Sequence, residues 1–172
     1  MLEQPEAVVE ASLHSIAGTG VVRVSACYET KVEDLWLALT SPERLAAWYG
    51  RVKGDLQVGG EFTAFVYGSE WDGRGRVDVC VAPRQLEVTM WEEVGAERTL
   101  TAVLMPDGVR TRLEVEVRGL PLDLVWAFGA GWQVQLENLD AHIVGRERKD
   151  SDARMDELVP AYREMQVLPL ES

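Results

Sequence analysis

Apolar and polar residues alternate with a period of two over residues 61–118 and with a period near 3.6 over 121–146. The chain therefore reads as a run of strands followed by one long helix. Phe62, Ala64 and Val66 oppose Thr63, Phe65 and Tyr67, and Val77, Val79 and Val81 oppose Arg76, Asp78 and Cys80. Leu86, Val88 and Met90 oppose Glu87, Thr89 and Trp91; Leu100, Ala102 and Leu104 oppose Thr99, Thr101 and Val103. Leu113, Val115 and Val117 oppose Arg112, Glu114 and Glu116. Gly59-Gly60, Asp72-Gly73, Ala82-Pro83 and Pro106-Asp107-Gly108 supply turn residues between them. With a short strand at 52–58, the pattern predicts consecutive antiparallel strands with one apolar and one wet face.

In the stretch PLDLVWAFGAGWQVQLENLDAHIVGR, Val125, Phe128, Trp132, Leu136, Leu139 and Ile143 fall on one helical stripe. Glu137, Asp140 and His142 fall off it. Pro121 suits a first helical position and Gly145 a left-handed end. Gly129 and Gly131 each cost a helix interior about 1 kcal/mol relative to Ala, so they kink the helix or admit a sheet or ligand close to it. Upstream, residues 20–28 read as a strand. Thr30 and Glu33 form a T-x-x-E capping box for a helix over 31–39, with Val32, Leu35, Trp36 and Leu39 inward. Ser41-Pro42 starts a second short helix that ends near Trp48-Tyr49-Gly50. Residues 1–19 read as a loose arm with a short helical stretch at 7–13. Residues 146–150 are a charged linker, and 152–165 a short helix interrupted by Pro160, with Met155, Leu158, Val159 and Tyr162 on one side. The expected organisation is an arm (1–19), one domain (20–146) and an extension (147–172).

The expected fold is α+β: a curved antiparallel sheet of six to seven strands wrapped around a long C-terminal helix, with two short helices after the first strand. A sheet curling around one helix leaves a gap where small side chains such as Ala64, Ala102, Gly129 and Gly131 meet. The inward positions that would line it are Trp48, Phe62, Ala64, Val77, Val88, Met90, Leu100, Ala102, Leu113, Val115, Phe128, Trp132 and Leu136. Polar contacts would come from Tyr49, Gln135 and Asn138, and from Asp78 if its strand register were flipped.

Charge and chemistry narrow the functions. The 172 residues carry a formal net charge of −12, which repels nucleic acid and anionic membrane surfaces. No run is long and apolar enough to span a bilayer, and residues 1–20 lack the basic start of a secretory signal. Cys27 and Cys80 fit buried thiols in a reducing cytoplasm. The two histidines, His14 and His142, lie apart, no cluster has metal-ligand spacing, and no cofactor is expected. Asp78 and Glu87 read as cross-strand partners of Arg76, Arg84 or Arg98. No catalytic constellation stands out. Phe65, Tyr67 and Trp91 fall on the face opposite the core, a pattern that fits a homodimer contact.

The motifs in order resemble the START-like (SRPBCC) superfamily, and more narrowly the branch named after the activator of heat-shock protein 90 ATPase. The carriers are Leu35-Trp36, Ala38-Leu39-Thr40, Pro42-Glu43, Leu45, Trp48-Tyr49, Gly59-Gly60-Glu61-Phe62, Gly75, Val77, Pro83, Leu86, Gly131-Trp132, Leu136 and Leu139. Tyr49 replaces a common second tryptophan. Met90 stands where an aromatic is frequent, with Trp91 one position later, which leaves room for a register shift or a bulge there. The resemblance implies a helix-grip fold around an apolar cavity. It leaves three expectations: a binder of a small apolar or aromatic ligand, a polyketide cyclase or aromatase, or a chaperone partner.

Overall fold

The computed structural model describes residues 6–67, 71–91 and 97–171. Among these residues, nine strands form one sheet in the order β3-β4-β5-β6-β7-β8-β2-β1-β9. They are β1 (Glu10–Ile16), β2 (Thr19–Tyr28), β3 (Gly50–Gly54), β4 (Glu61–Val66), β5 (Trp71–Val81), β6 (Gln85–Trp91), β7 (Arg98–Asp107), β8 (Arg110–Pro121) and β9 (Val167–Pro169). Helices α1 (Val32–Thr40) and α2 (Pro42–Trp48) join β2 to β3. A 3₁₀ turn (Leu122–Leu124) leads into the long helix α3 (Val125–Val144), and α4 (Ser151–Glu164) packs on it. This is the expected α+β helix-grip architecture, with the core between the inner sheet face and α3.

The alternation places Phe62, Ala64, Val77, Val88, Leu100, Ala102, Leu113, Val115 and Val117 in the core as expected. Several local readings change. The segment read as a loose, partly helical arm instead forms β1, antiparallel to β2 throughout, and β9 adds to β1 in parallel. Leu13 explains the gain: it is fully buried against α3. Asp72-Gly73 is no turn. Val66 pairs with Trp71, and Asp72-Gly73 lies within β5. The register shift lies not at Met90–Trp91, whose pairing with β5 is regular, but at Asp78, an extra residue between Val77↔Val88 and Val79↔Glu87. Such a bulge inverts the alternation beyond it. Cys80 therefore packs against the core while Val81 is 55% exposed, the reverse of the period-two reading.

Helix starts also differ. Thr30 donates to the Asp34 carboxylate (2.7 Å) rather than capping, because Arg44 holds that carboxylate ionised nearby; α1 begins after Lys31 with no side-chain cap. Ser41 precedes Pro42 at the start of α2, also without a side-chain bond. Pro121 ends β8 instead of opening α3. Gly145 closes α3 at φ 78°, as its position predicted, and Arg146 N–H reaches back to Ala141 C=O. Pro160 lies inside α4 without ending it.

Asp140, off the apolar stripe in sequence, is buried and accepts from Arg146 (2.7 Å) and from the Ala7 amide (3.1 Å). Tyr28, fully buried, donates to the Leu136 carbonyl (2.9 Å) and so ties β2 to the middle of α3.

Candidate functional site

Between the sheet and α3 lie two chambers. The inner one, about 100 Å³, is lined by the predicted inward residues Trp48, Phe62, Ala64, Val77, Val88, Met90, Leu100, Ala102, Leu113, Val115, Trp132 and Leu136. The outer one is about 690 Å³ and lies along the first half of α3. Its walls are Val66, Tyr67, Trp71, Asp72, Met90 and Arg98 from the strand side, Val117 and Leu120 from β8, and Leu124, Ala127, Phe128, Gly131, Trp132, Val134 and Gln135 from the 3₁₀ turn and α3. Ser151 and Met155 bring α4 to its edge. Tyr49, Met90 and Trp132 line both chambers and form the partition; the Tyr49 and Trp132 rings lie 6.2 Å apart at 32°.

The usable space is therefore displaced from where inward alternation alone placed it. Trp48, Phe62, Met90 and Trp132 are large enough to fill most of the inner region. Trp48 is further fixed by donating to the Ala38 carbonyl (2.9 Å). The outer chamber stays open because Ala127 and Gly131 present almost no side chain to it; nothing lies within 4 Å of a Cβ built on Gly131. Gly129, on another side of the helix, faces Leu13 and Tyr162 instead.

Of the four predicted polar contacts, Tyr49 and Gln135 line the outer chamber. Asp78 lines neither chamber. At its bulge it is held by Arg76 (2.7 Å) and Thr89, and these bonds outweigh burial and keep its carboxyl below the usual range. Asn138 is buried in α3 and lines neither chamber either. Tyr67 and Arg98 were not read as cavity residues. Tyr67 follows the last residue of β4, so period-two alternation no longer governs it. Its hydroxyl donates to Ala46 C=O (2.9 Å), its N–H to Tyr49 C=O (3.0 Å), and the Arg148 guanidinium sits 4.8 Å over its ring. Phe65 and Trp91, half-buried on the outer face, lie beneath Arg51 and Arg74 respectively. The Phe65 and Tyr67 rings lie 6.5 Å apart, edge to face.

The chamber combines aromatic walls with few polar groups. Arg98 stacks between the Trp71 and Phe128 rings, 5.7 and 5.0 Å from their centroids. Burial pushes the Tyr49 phenol up to about 12, with Arg98 pulling the other way, so it is a neutral hydroxyl at physiological pH. Gln135 donates its amide N–H to the Tyr67 carbonyl (3.3 Å). Among the described residues no group of His, Cys, Asp and Glu has metal-site geometry. No described helix is long and apolar enough to cross a membrane.

A curved sheet gripping a terminal helix around a partly filled aromatic cavity defines a START-like, SRPBCC-type protein. Residues 29–143 match the family described as Activator of Hsp90 ATPase homolog 1-like protein, and the chain belongs to that family. Similar solved structures include CalU16 from Micromonospora echinospora, 24% identical over 91% of this chain and 99% of that one, with a TM-score of 0.71. DynU16, a protein of the dynemicin biosynthetic locus, is 24% identical over 76% of this chain and 50% of that one, TM-score 0.69. The protein encoded by gene BPP1335 of Bordetella parapertussis is 18% identical over 89% and 88%, TM-score 0.69. No curated protein matches the sequence. At these identities the structural likeness establishes the fold.

Proposed function

We propose that the protein binds a small, largely apolar aromatic molecule in the outer chamber. The supporting observation is a cavity of about 690 Å³ whose wall includes the rings of Tyr49, Tyr67, Trp71, Phe128 and Trp132. That volume falls within the range of small-molecule sites. Each Å² of apolar ligand surface removed from water contributes about 25 cal/mol. Gly131→Leu tests the reading, since its Cβ would meet nothing within 4 Å and the rest of the side chain would take up volume at the chamber wall. After incubation with a lipophilic metabolite extract, native mass spectrometry should find adducts on the wild type and none on Gly131→Leu. Equal adducts on both, or none on the wild type, would refute a cavity binder.

A second reading, cyclase- or aromatase-like catalysis on a polyketide-like chain, is favoured by Tyr49. It is a neutral phenol at the partition, close enough to Arg98 for the charge to be felt, and positioned to donate a proton or hydrogen bond to a carbonyl. If this reading holds, Tyr49→Phe keeps ligand binding and loses turnover of a poly-β-ketone substrate by roughly 100-fold or more. Binding without turnover in the wild type leaves the carrier reading standing alone.

A further inference from the structure

The inner chamber holds about 100 Å³ of space that its own side chains leave unfilled. Among the described residues, none that lines it is charged. Thr40 and Trp48 spend their donors on backbone: the Thr40 hydroxyl donates to the Trp36 carbonyl (2.7 Å) and the Trp48 indole to the Ala38 carbonyl (2.9 Å). A water molecule settles in a cavity where it finds two to four polar partners, and this wall offers almost none. Space of that kind suits a compact apolar group, whose contacts with the wall replace the ones that the void forgoes. Two small buried residues leave it open, Ala64 on β4 and Ala102 on β7.

The inner chamber adjoins the outer one across side chains. Tyr49, Met90 and Trp132 line both. Met90 is unbranched and flexible, so it yields where a β-branched strand residue would stand stiff. Arg98 and Asp72 line the outer chamber and not the inner one. Charge therefore bears on whatever part of a ligand lies outside the partition, and the inner space is left to an uncharged arm.

We infer that the inner chamber is a second subsite, reached past Met90, which takes a short linear alkyl arm of a ligand whose aromatic body lies in the outer chamber. The inference rests on the cavity-binding reading above and adds the substituent that the ligand carries. At roughly 30 Å³ for an atom the size of a water molecule, the space takes an arm of about three carbons. Ala64 and Ala102 set that length.

The test measures naphthalene, 2-ethylnaphthalene and 2-n-propylnaphthalene by equilibrium dialysis. Arg98 and Asp72 meet the same ring system in all three, so they drop out of the comparison. Each carbon moved from water into an apolar site raises affinity about three- to fourfold, and the wild type should hold the propyl compound at least about tenfold more tightly than naphthalene. Ala102→Leu, which fills the inner chamber, should hold naphthalene as the wild type does and lose that gain. Ala64→Val takes its place if the leucine variant does not fold. In the wild type, the methyl NMR signals of Ala64 and Ala102 should move with the propyl compound and stay in place with naphthalene. No gain in the wild type, a gain that survives in the variant, or alanine methyls that ignore the propyl compound overturns the inference and leaves the cavity reading intact. Failure of all three probes to bind the wild type overturns the two together.

Discussion

Gly129 and Gly131 stand two residues apart on α3 and lack side chains for opposite reasons. A Cβ on Gly129 would come within 2.7 Å of Leu13 Cδ2 and 3.0 Å of the Tyr162 ring, whereas one on Gly131 would meet nothing within 4 Å. Gly129→Ala should therefore destabilise the fold by about 1–3 kcal/mol through overpacking between α3, β1 and α4. Gly131→Ala should stabilise it by about 0.5–1 kcal/mol, because alanine has less backbone freedom to lose in a helix. Urea denaturation of the two variants checks both signs. Both glycines destabilising alike would mean that Gly131 does not face open space. Tyr28 is a second decisive residue. Its hydroxyl joins β2 to the Leu136 carbonyl in a fully buried setting. Tyr28→Phe should cost about 0.5–1.5 kcal/mol by the same measurement, and a neutral result would show that the bond contributes little beyond the ring's packing.

At the level of elements, α4 is tied to α3 beside the chamber by specific bonds. Arg154 grips Glu137 with two parallel contacts, Nε to Oε1 at 2.7 Å and Nη2 to Oε2 at 2.8 Å, a geometry that is strong because both charges are matched to both donors. Tyr162 donates to Gln133 (2.6 Å), and Arg163 lies 4.5 Å over the Trp126 ring. Beyond α4, β9 joins the sheet through β1, with Leu170 N–H donating to Ser15 C=O (2.8 Å). Helix and strand together hold Ser151 and Met155 at the cavity edge. Arg154→Met keeps much of the stem's packing and removes the fork. It should leave the partly buried Glu137 carboxylate with the Gln133 amide in place of its charged partner, lower stability by about 1.5–3 kcal/mol, and speed amide exchange across residues 151–164 before the sheet opens. Unchanged exchange in that segment would show that apolar packing alone holds α4.

For the whole molecule, the two histidines and the partnered carboxylates set a two-stage response to acid. Burial, reinforced by Arg23 at His14 and by Arg44 at His142, lowers both imidazoles below the ordinary 6.5. The neutral ring of His142 accepts from Arg44 Nε (3.2 Å), a bond that its protonated form cannot keep. The unfolded chain therefore binds more protons than the folded one in this range. The contribution to stability is complete above pH 6.5 and is lost as the pH falls through the lower folded values. A second loss begins further down. The Arg44 bond holds Asp34 below its ordinary 3.8, and at Glu137 the Arg154 and Gln133 bonds outweigh burial to hold it below 4.5. Protonating these carboxyls removes their contribution as the pH drops past those values. Unfolding free energies measured from about pH 7 to 5 should rise with pH, and the double variant His14→Gln, His142→Gln should flatten that slope. A slope unchanged in the double variant would assign it to other groups.

Legibility followed the range of the interactions. Strands β4, β6, β7 and β8, the long helix and its Gly145 end were readable because each depends on neighbours a few residues away: side chains that alternate, a stripe that repeats, a glycine free to turn left-handed. The bulge at Asp78 was not, since nothing local distinguishes an extra residue from the next step of an alternating strand, yet it reversed Cys80 and Val81. Strand β1 was hidden because seven weakly patterned residues become a strand only when β2 offers them a hydrogen-bonding edge and α3 covers Leu13. The candidate site was half visible. Inward alternation found the residues around the small inner chamber, with Met90 reaching the large one; the helical stripe found Phe128 and Trp132 of the large one, and Tyr49 and Gln135 were among the expected polar contacts. How the free volume divides depends on the sizes of side chains that meet from β3 to α4. Sequence by itself thus determined a sheet that grips a helix; only the tertiary packing decided where the grip leaves room, because empty space is a property of distant residues failing to touch.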